Sequence, residues 1–552
     1  MATKQYFAPG EIRKGSPFMS AARTTIETAF YGNNVYPVET VKEAYKMAAE
    51  SPGTIVTDMP VYKPELIGMP SDAKVLVFND GSVYGRAAAA RRILGWAGVD
   101  EDEYCTIIRE AIYNTRNRTM FHAQSYIGLD KEFMVKAHLL LPEGEENVML
   151  SWLLNFQYLT EEYNKMYADS REIPGESDLY IFSDPQWSHP DYPMGLTFFD
   201  PKHNCAALLG MRYFGEHKKG TLTLAWGVAA RQGYASCHGG QKRYDLADGK
   251  KFVMGVFGLS GSGKSTITHA QHDGKYNITV LHDDAFVIST TDSSSIALEP
   301  AYFDKTQDYP PGDPNNDYLL TVQNNGVTTD ENGKVVLVTE DIRNGNGRAM
   351  KSRLWSPNRI DRLDEPANAI VWLMKDSTLP PVVKVDDPVL AATMGATLAT
   401  VRTSAERLPP GVDPNALVIE PYANPFRTYP LAEDYDCFKT LFTKNKIDCY
   451  IVNTGSFGTK KITKEVTLGA LEQIVENKAS FKPFGNVQGM SYMPVEGYNP
   501  DFADAQYKAS LADRMHDRVE FVEKKAVEKN GYDKLPDETL NVLRTTEEAI
   551  RK

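Results

Sequence analysis

Apolar residues in this chain fall in short blocks separated by proline and glycine, not in one long periodic run. Val41–Glu50 has helical spacing and is closed by Ser51-Pro52-Gly53. Lys74–Phe78 predicts a strand that ends in the turn Asn79-Asp80-Gly81. Residues 148–158, mostly apolar and aromatic, predict a core element. Residues 187–200, dense in Pro, Asp and aromatics, predict a loop. Lys251–Phe257 reads as a buried strand. Three glycines within residues 258–263 follow it, and they weaken any helix or strand and demand a loop. Lys264-Ser265-Thr266-Ile267 then opens a helix, and a second buried run, 278–281, ends in His282-Asp283-Asp284. Residues 370–374 and 450–455 are further buried strands, 304–316 a polar surface loop, and 502–552 solvent-facing helices of mixed charge. Strand, glycine loop, helix and strand in that order form a nucleotide-binding α/β unit. The fold class expected is therefore α/β with mixed sheets.

Length and charge narrow the picture. A chain of 552 residues is too long for one small domain, and no internal repeat divides it. Hydrophobic residues make up 42% and charged residues 24%, which excludes global disorder. The net charge of -13 repels a phosphate backbone, so nucleic acid is not an expected partner. The five cysteines are odd in number and form no CxxC, which argues against a disulfide framework or zinc ribbon. No apolar signal core follows Met1, and no window of about 18 uncharged apolar residues occurs. The expectation is a cytoplasmic protein without a membrane partner.

Gly258-Leu259-Ser260-Gly261-Ser262-Gly263-Lys264-Ser265 fits a phosphate-binding loop at every required position, with Thr266 next in the helix. Backbone N–H groups freed by the glycines wrap phosphate oxygens. Lys264 is suited to neutralise the β and γ phosphates, and the Ser265 hydroxyl to ligate Mg²⁺. Asp283 and Asp284 end the second strand, where a carboxylate holds a divalent cation; alone, such aspartates are usually turn or cap residues. Glu216-His217-Lys218-Lys219-Gly220 is, by itself, a pattern of solvated turns, and His238 alone reads as a structural histidine.

Together these segments resemble ATP-dependent phosphoenolpyruvate carboxykinase. The resemblance rests on Tyr213 to Gly220 (Tyr–x–Gly–Glu–x–Lys–Lys–Gly), His238 nineteen residues after Lys219, the loop Gly258 to Ser265, and Asp283-Asp284. Gly81 to Arg86, Thr339 to Arg343, Leu379-Pro380-Pro381 and Val452 to Gly455 are similar to further family segments. Relatives that use GTP carry a cysteine in the loop, and this loop has none, so ATP is favoured. The chain departs from the family after Arg86, where Ala87 to Ala90 replace a Ser-Pro-Lys run. It departs again after His238 (Gly239-Gly240), after Asp284 (Ala285-Phe286), and at Lys460-Lys461.

The resemblance implies that oxaloacetate and ATP give phosphoenolpyruvate, CO₂ and ADP. It implies Lys219, His238 and Asp284 as ligands of Mn²⁺, with Mg²⁺ travelling with ATP. Arg86 and Arg343 would clamp carboxylates, Tyr213 and Ser260 would touch substrate, Lys264 would orient the γ-phosphate, and Lys461 and Thr467 would meet the nucleotide. Lys219 would have to be neutral, which costs about 4.6 kcal/mol at pH 7 from a reference pKa of about 10.4. The metal and Lys218 would push it that way. Two domains are expected, 1–236 binding substrate and 237–552 binding nucleotide, with a lid within 385–415. The departures motivate one alternative enzyme, a kinase on this scaffold with another acceptor. A nucleotide-binding regulator without turnover is the reading outside enzymes.

Overall fold

Buried apolar runs pair into sheets within two compact units, one built from residues 1–228 and 298–357, the other from 229–297, 358–401 and 417–552. The computed structural model describes residues 2–13, 15–156, 160–259, 261–340, 345–401 and 417–552. Ser260, Arg343 and the part of the expected lid from residue 402 onward lie outside them.

In the first unit, Met120–Asp130 and Phe133–Pro142 form an antiparallel pair at the heart of a mixed sheet. Leu179–Asp184 and Cys205–Leu209 continue it in parallel. Residues 196–200 correct the loop expected over 187–200. Leu196–Asp200 is a fully buried strand between Cys205–Leu209 and Arg91–Ile93. The prolines and aspartates that suggest a loop are concentrated in 187–195, whereas Leu196, Phe198 and Phe199 are apolar and go into the core. The expected strand Lys74–Phe78 lies in a second sheet, between Thr54–Pro60 and Leu319–Gln323. That sheet also holds Tyr302–Lys305, so the surface loop expected from 304 begins two residues later than its polarity suggests. The apolar block at 148–158 contributes a helix, Glu146–Phe156, buried from Asn147 to its end.

In the second unit, Tyr234–Asp245 is the organising strand. It pairs antiparallel with Lys251–Phe257 through residues 239–245. Its opposite edge pairs with Ala285–Ser289 and then with Asn277–His282. The two apolar runs flanking the glycine loop are thus separated by an antiparallel strand rather than hydrogen-bonded to each other. Beyond Lys251–Phe257 come Ala369–Met374 and Asp448–Asn453, both parallel to it. Ala505–Val527 and Asp537–Arg551 are amphipathic helices that pack with residues such as Leu511, Met515 and Leu543 and turn their charges outward. Among the described residues, no helix is long and apolar enough to cross a membrane.

One buried acid sets a pH dependence of stability. Asp434 accepts a hydrogen bond from the Tyr429 hydroxyl at 2.9 Å through Oδ1, while Oδ2 has no partner among the described residues. Burial pushes its pKa up to about 7, against the nearby Arg427 charge and the Tyr429 bond. The folded form therefore holds a proton that the unfolded carboxyl releases near 4. Stability from this group is present at low pH and is lost as pH rises toward and through about 7. Asp434→Asn is expected to flatten the fall in Tm between pH 5 and pH 8, as followed by circular dichroism; an unchanged slope would exclude Asp434 as its source.

Candidate active site

The glycine loop follows from backbone geometry. Gly261 (φ 80°) and Gly263 (φ 90°) take left-handed conformations that side chains disfavour. Gly258 is fixed by space, since a Cβ there would lie 2.2 Å from Ser262 Oγ and 2.9 Å from Leu373 Cβ. Leu259 and Ser262 are buried, and the Ser262 N–H donates to the Leu259 carbonyl at 3.0 Å, closing the turn. The helix Lys264–His269 starts directly after Gly263, with Lys264 buried and Ser265 and Thr266 exposed.

Strand register brings the next residues to this loop. His238 is where Tyr234–Asp245 changes partners, for His238 pairs with Ala285 and Gly239 with Phe257. The Gly239 N–H donates to the Asp284 carbonyl at 3.1 Å, which puts Asp284 beside His238. His238 Nε2 is 3.1 Å from Asp284 Oδ1, and the same oxygen is 3.7 Å from Lys264 Nζ. His238 Nδ1 is hydrogen-bonded to the Ala423 carbonyl. Tyr422 and Ala423 both adopt left-handed backbone (φ 52° each), a strained arrangement for side-chain-bearing residues. The Tyr422 hydroxyl holds it by donating to the Ala392 carbonyl at 3.0 Å.

Asp283 points elsewhere. Its Oδ2 lies 3.2 Å from His269 Nε2. Burial alone would raise its pKa, but the His269 hydrogen bond and the charges of His269, His282 and Lys264 outweigh it and hold the carboxyl below the usual range. His282 Nδ1 accepts from the backbone N–H groups of Asp284 (3.1 Å) and Ala285 (3.2 Å), fixing the turn that carries Asp284.

The departure Gly239-Gly240 has a packing reason. A Cβ on Gly240 would sit 1.9 Å from Thr268 Oγ1, in the helix that carries Lys264. Gly240→Ala is expected to push that helix off the strand, costing about 1–3 kcal/mol of overpacking. Thermal unfolding reports it as a lower Tm. A wild-type Tm would show that the helix does not depend on this contact.

In the first unit, the segment Glu216 to Gly220 departs from the expected solvated turn. It lies in the helix Phe214–Arg231 and its side chains are buried. Glu216 pairs with Arg91 at 3.2 Å. His217 Nε2 lies 2.8 Å from Ser183 Oγ, and burial pushes its pKa down to about 4, so the ring is neutral. Lys218 pairs with Glu299 at 3.0 Å with both side chains fully buried. Lys219 is buried too, its Nζ 5.7 Å from the Trp226 ring centroid. Gly215 makes room for Tyr213, since a Cβ there would lie 2.4 Å from the tyrosine ring. Arg86 is buried in the same unit. Lys461 is exposed in a two-residue hairpin strand, and Thr467 is buried in the helix Lys464–Val475. Glu299, His282 and the Ala423 carbonyl escaped sequence reasoning. Only His282, next to the double aspartate, carried a local signal.

Strand, glycine loop and lysine-bearing helix, with a carboxylate beside that lysine and an imidazole on the same carboxylate oxygen, define a nucleotide-using α/β enzyme. The profile of the phosphoenolpyruvate carboxykinase family, ATP type, matches residues 91–484, and the chain belongs to that family of carboxy-lyases. Arg86 precedes the matched span. The phosphoenolpyruvate carboxykinase (ATP) of Aeropyrum pernix is 26% identical over 355 residues, covering 60% of this chain and 70% of that protein. The phosphoenolpyruvate carboxykinase (ATP) of Dictyostelium discoideum is 23% identical over 483 residues, covering 77% and 80%. That of Bradyrhizobium sp. ORS 278 is 22% identical over 411 residues, covering 70% and 73%. Membership implies use of ATP and a divalent metal. Among the described residues no three His, Cys, Asp or Glu side chains cluster as a metal site. The His238–Asp284 pair nevertheless fits one. A main-chain carbonyl orients Nδ1, the usual support of a metal-bound imidazole, and Nε2 faces a carboxylate.

Proposed function

We propose that this chain converts oxaloacetate and ATP reversibly to phosphoenolpyruvate, CO₂ and ADP. The observation that carries the reading is the convergence of His238, Asp284 and Lys264 beside the glycine loop. The carbon–carbon bond to the leaving carboxylate breaks and its electron pair becomes an enolate. The enolate oxygen then bonds to the γ-phosphorus as the bond to ADP breaks.

His238 and Asp284 are the ligand pair for a divalent cation, with Lys219 the third member implied by resemblance. An N/O donor set suits Mn²⁺ better than Ca²⁺. When bound, the cation would supply positive charge that stabilises an enolate. Gly258 to Gly263, including Ser260, cradle the phosphates, Lys264 orients the γ-phosphate, and the Ser265 hydroxyl holds the Mg²⁺ that accompanies ATP, with Thr266 following in the helix. Arg86 and Arg343 grip carboxylates through forked bonds, and Arg343 offsets charge on the phosphoryl group in transfer. Tyr213 contacts the substrate, and Lys461 and Thr467 contact the nucleotide. Residues 1–236 serve the substrate and 237–552 the nucleotide. Water must be kept out, because a protonated enolate is only pyruvate; a lid drawn from 385–415 would serve that end.

A coupled assay with oxaloacetate, ATP, Mg²⁺ and Mn²⁺, run beside GTP and pyrophosphate, tests the reading. ADP and phosphoenolpyruvate should form in equal amounts only when oxaloacetate is present. ATP turnover without oxaloacetate, or phosphate transferred to another acceptor, would replace this function with that of a kinase.

A further inference from the structure

Four residues beyond His238 on the same strand, Lys242 is buried with 2% of its surface exposed. A lone ammonium in a core is costly, and an aliphatic side chain is usually the more stable choice there. Here all three donors are used. Nζ is 2.6 Å from the Ile267 carbonyl and 3.0 Å from the Ala270 carbonyl, both at the far end of the helix that begins with Lys264. The third contact is His272 Nε2 at 3.0 Å. An ammonium has no lone pair, so Nε2 accepts and Nδ1 carries the ring proton. Nδ1 lies 2.8 Å from Glu472 Oε1, in the helix Lys464–Val475. Lys242, His272 and Glu472 thus join the helix that carries Lys264 and Ser265 to the helix that carries Thr467.

We infer that Lys242 is a positioning residue for the nucleotide. With His272 and Glu472 it ties these two helices together and holds the glycine loop in its triphosphate-binding form. The inference rests on the reading of that loop as the ATP site, and it adds a chain of buried groups that do not touch ATP. The tie also titrates. Burial pulls the Lys242 pKa down to about 7, and the Glu472 charge only partly offsets it. The groups facing it are His272, the Tyr244 ring 4.6 Å from Nζ, and Glu472, with Lys275, Tyr276 and Glu476 behind them. As pH rises through about 7, Nζ loses a proton and the tie weakens.

The test uses the full chain and its Lys242→Met variant, with ATP affinity measured by calorimetry and the KM for ATP and for oxaloacetate at pH 6.5 and pH 8.5. At pH 6.5 the variant should bind ATP about tenfold more weakly, with the oxaloacetate KM within twofold of wild type. At pH 8.5 the gap should shrink to about threefold or less, because the wild type has lost the proton that the variant never had. Glu472→Gln, at a half-buried position, should weaken ATP binding in the same direction by a few-fold, and it decides the matter if Lys242→Met does not fold. Folded variants that bind ATP like the wild type overturn the inference, as does a Lys242→Met defect independent of pH. Those outcomes leave the ATP site standing, whereas a wild type that binds no ATP removes the site itself.

Discussion

His238→Ala is expected to lower kcat by on the order of 10²–10³ while leaving ATP affinity close to wild type. The imidazole reaches the centre only through Nε2, which faces Asp284 at 3.1 Å, while Nδ1 is committed to the Ala423 carbonyl. Alanine removes one proposed cation ligand and leaves the glycine loop and Lys264 in place. Chemistry should therefore fail where nucleotide binding survives. Calorimetric titration with ATP and Mg²⁺, beside steady-state turnover with Mn²⁺, separates the two. Near-normal turnover would remove His238 from the ligand set, and a loss of ATP affinity in proportion to kcat would make it a structural support of the loop.

Lys218→Met should destabilise the first unit by about 3–5 kcal/mol, the usual result of breaking a buried ion pair from one side. Lys218 and Glu299 meet at 3.0 Å with no side-chain exposure, and Asn155 Nδ2 donates to the second Glu299 oxygen at 2.6 Å. Methionine keeps most of the volume and removes the charge, so the loss falls on the Glu299 carboxylate. Adding Glu299→Gln should recover part of the stability, because it removes the charge left behind. Urea unfolding of the two single variants and the double variant measures the coupling. If the single Lys218→Met change costs under about 1 kcal/mol, the pair is solvated in practice, as an exposed pair would be.

The glycine loop was legible because its requirements are local. Positive φ at Gly261 and Gly263, a lysine and a hydroxyl follow one another within eight residues. The approach of His238 to Asp284 was legible only through family resemblance, since strand register and not spacing produces it. The burial of Glu216, His217 and Lys218 was not legible. A string of charged residues reads as solvent-facing until its partners are known, and Arg91, Ser183 and Glu299 lie 34 to 125 positions away. Leu196–Asp200 was hidden by the prolines and aspartates just before it. The antiparallel strand between the two apolar runs could not be read at all, because two buried strands in sequence do not say what lies between them.

The carbonyl that orients His238 belongs to the main chain, so no exchange of side chain at position 423 deletes it. Only a change in the path of the chain through Tyr422 and Ala423 would withdraw it, and that path is braced by the Tyr422 ring, stacked on Phe438 at 4.6 Å between centroids. The orientation of the imidazole is thereby sheltered from most point changes at the residue that supplies it. Drift in this part of the centre should surface first at the aromatic braces, one step removed from the histidine.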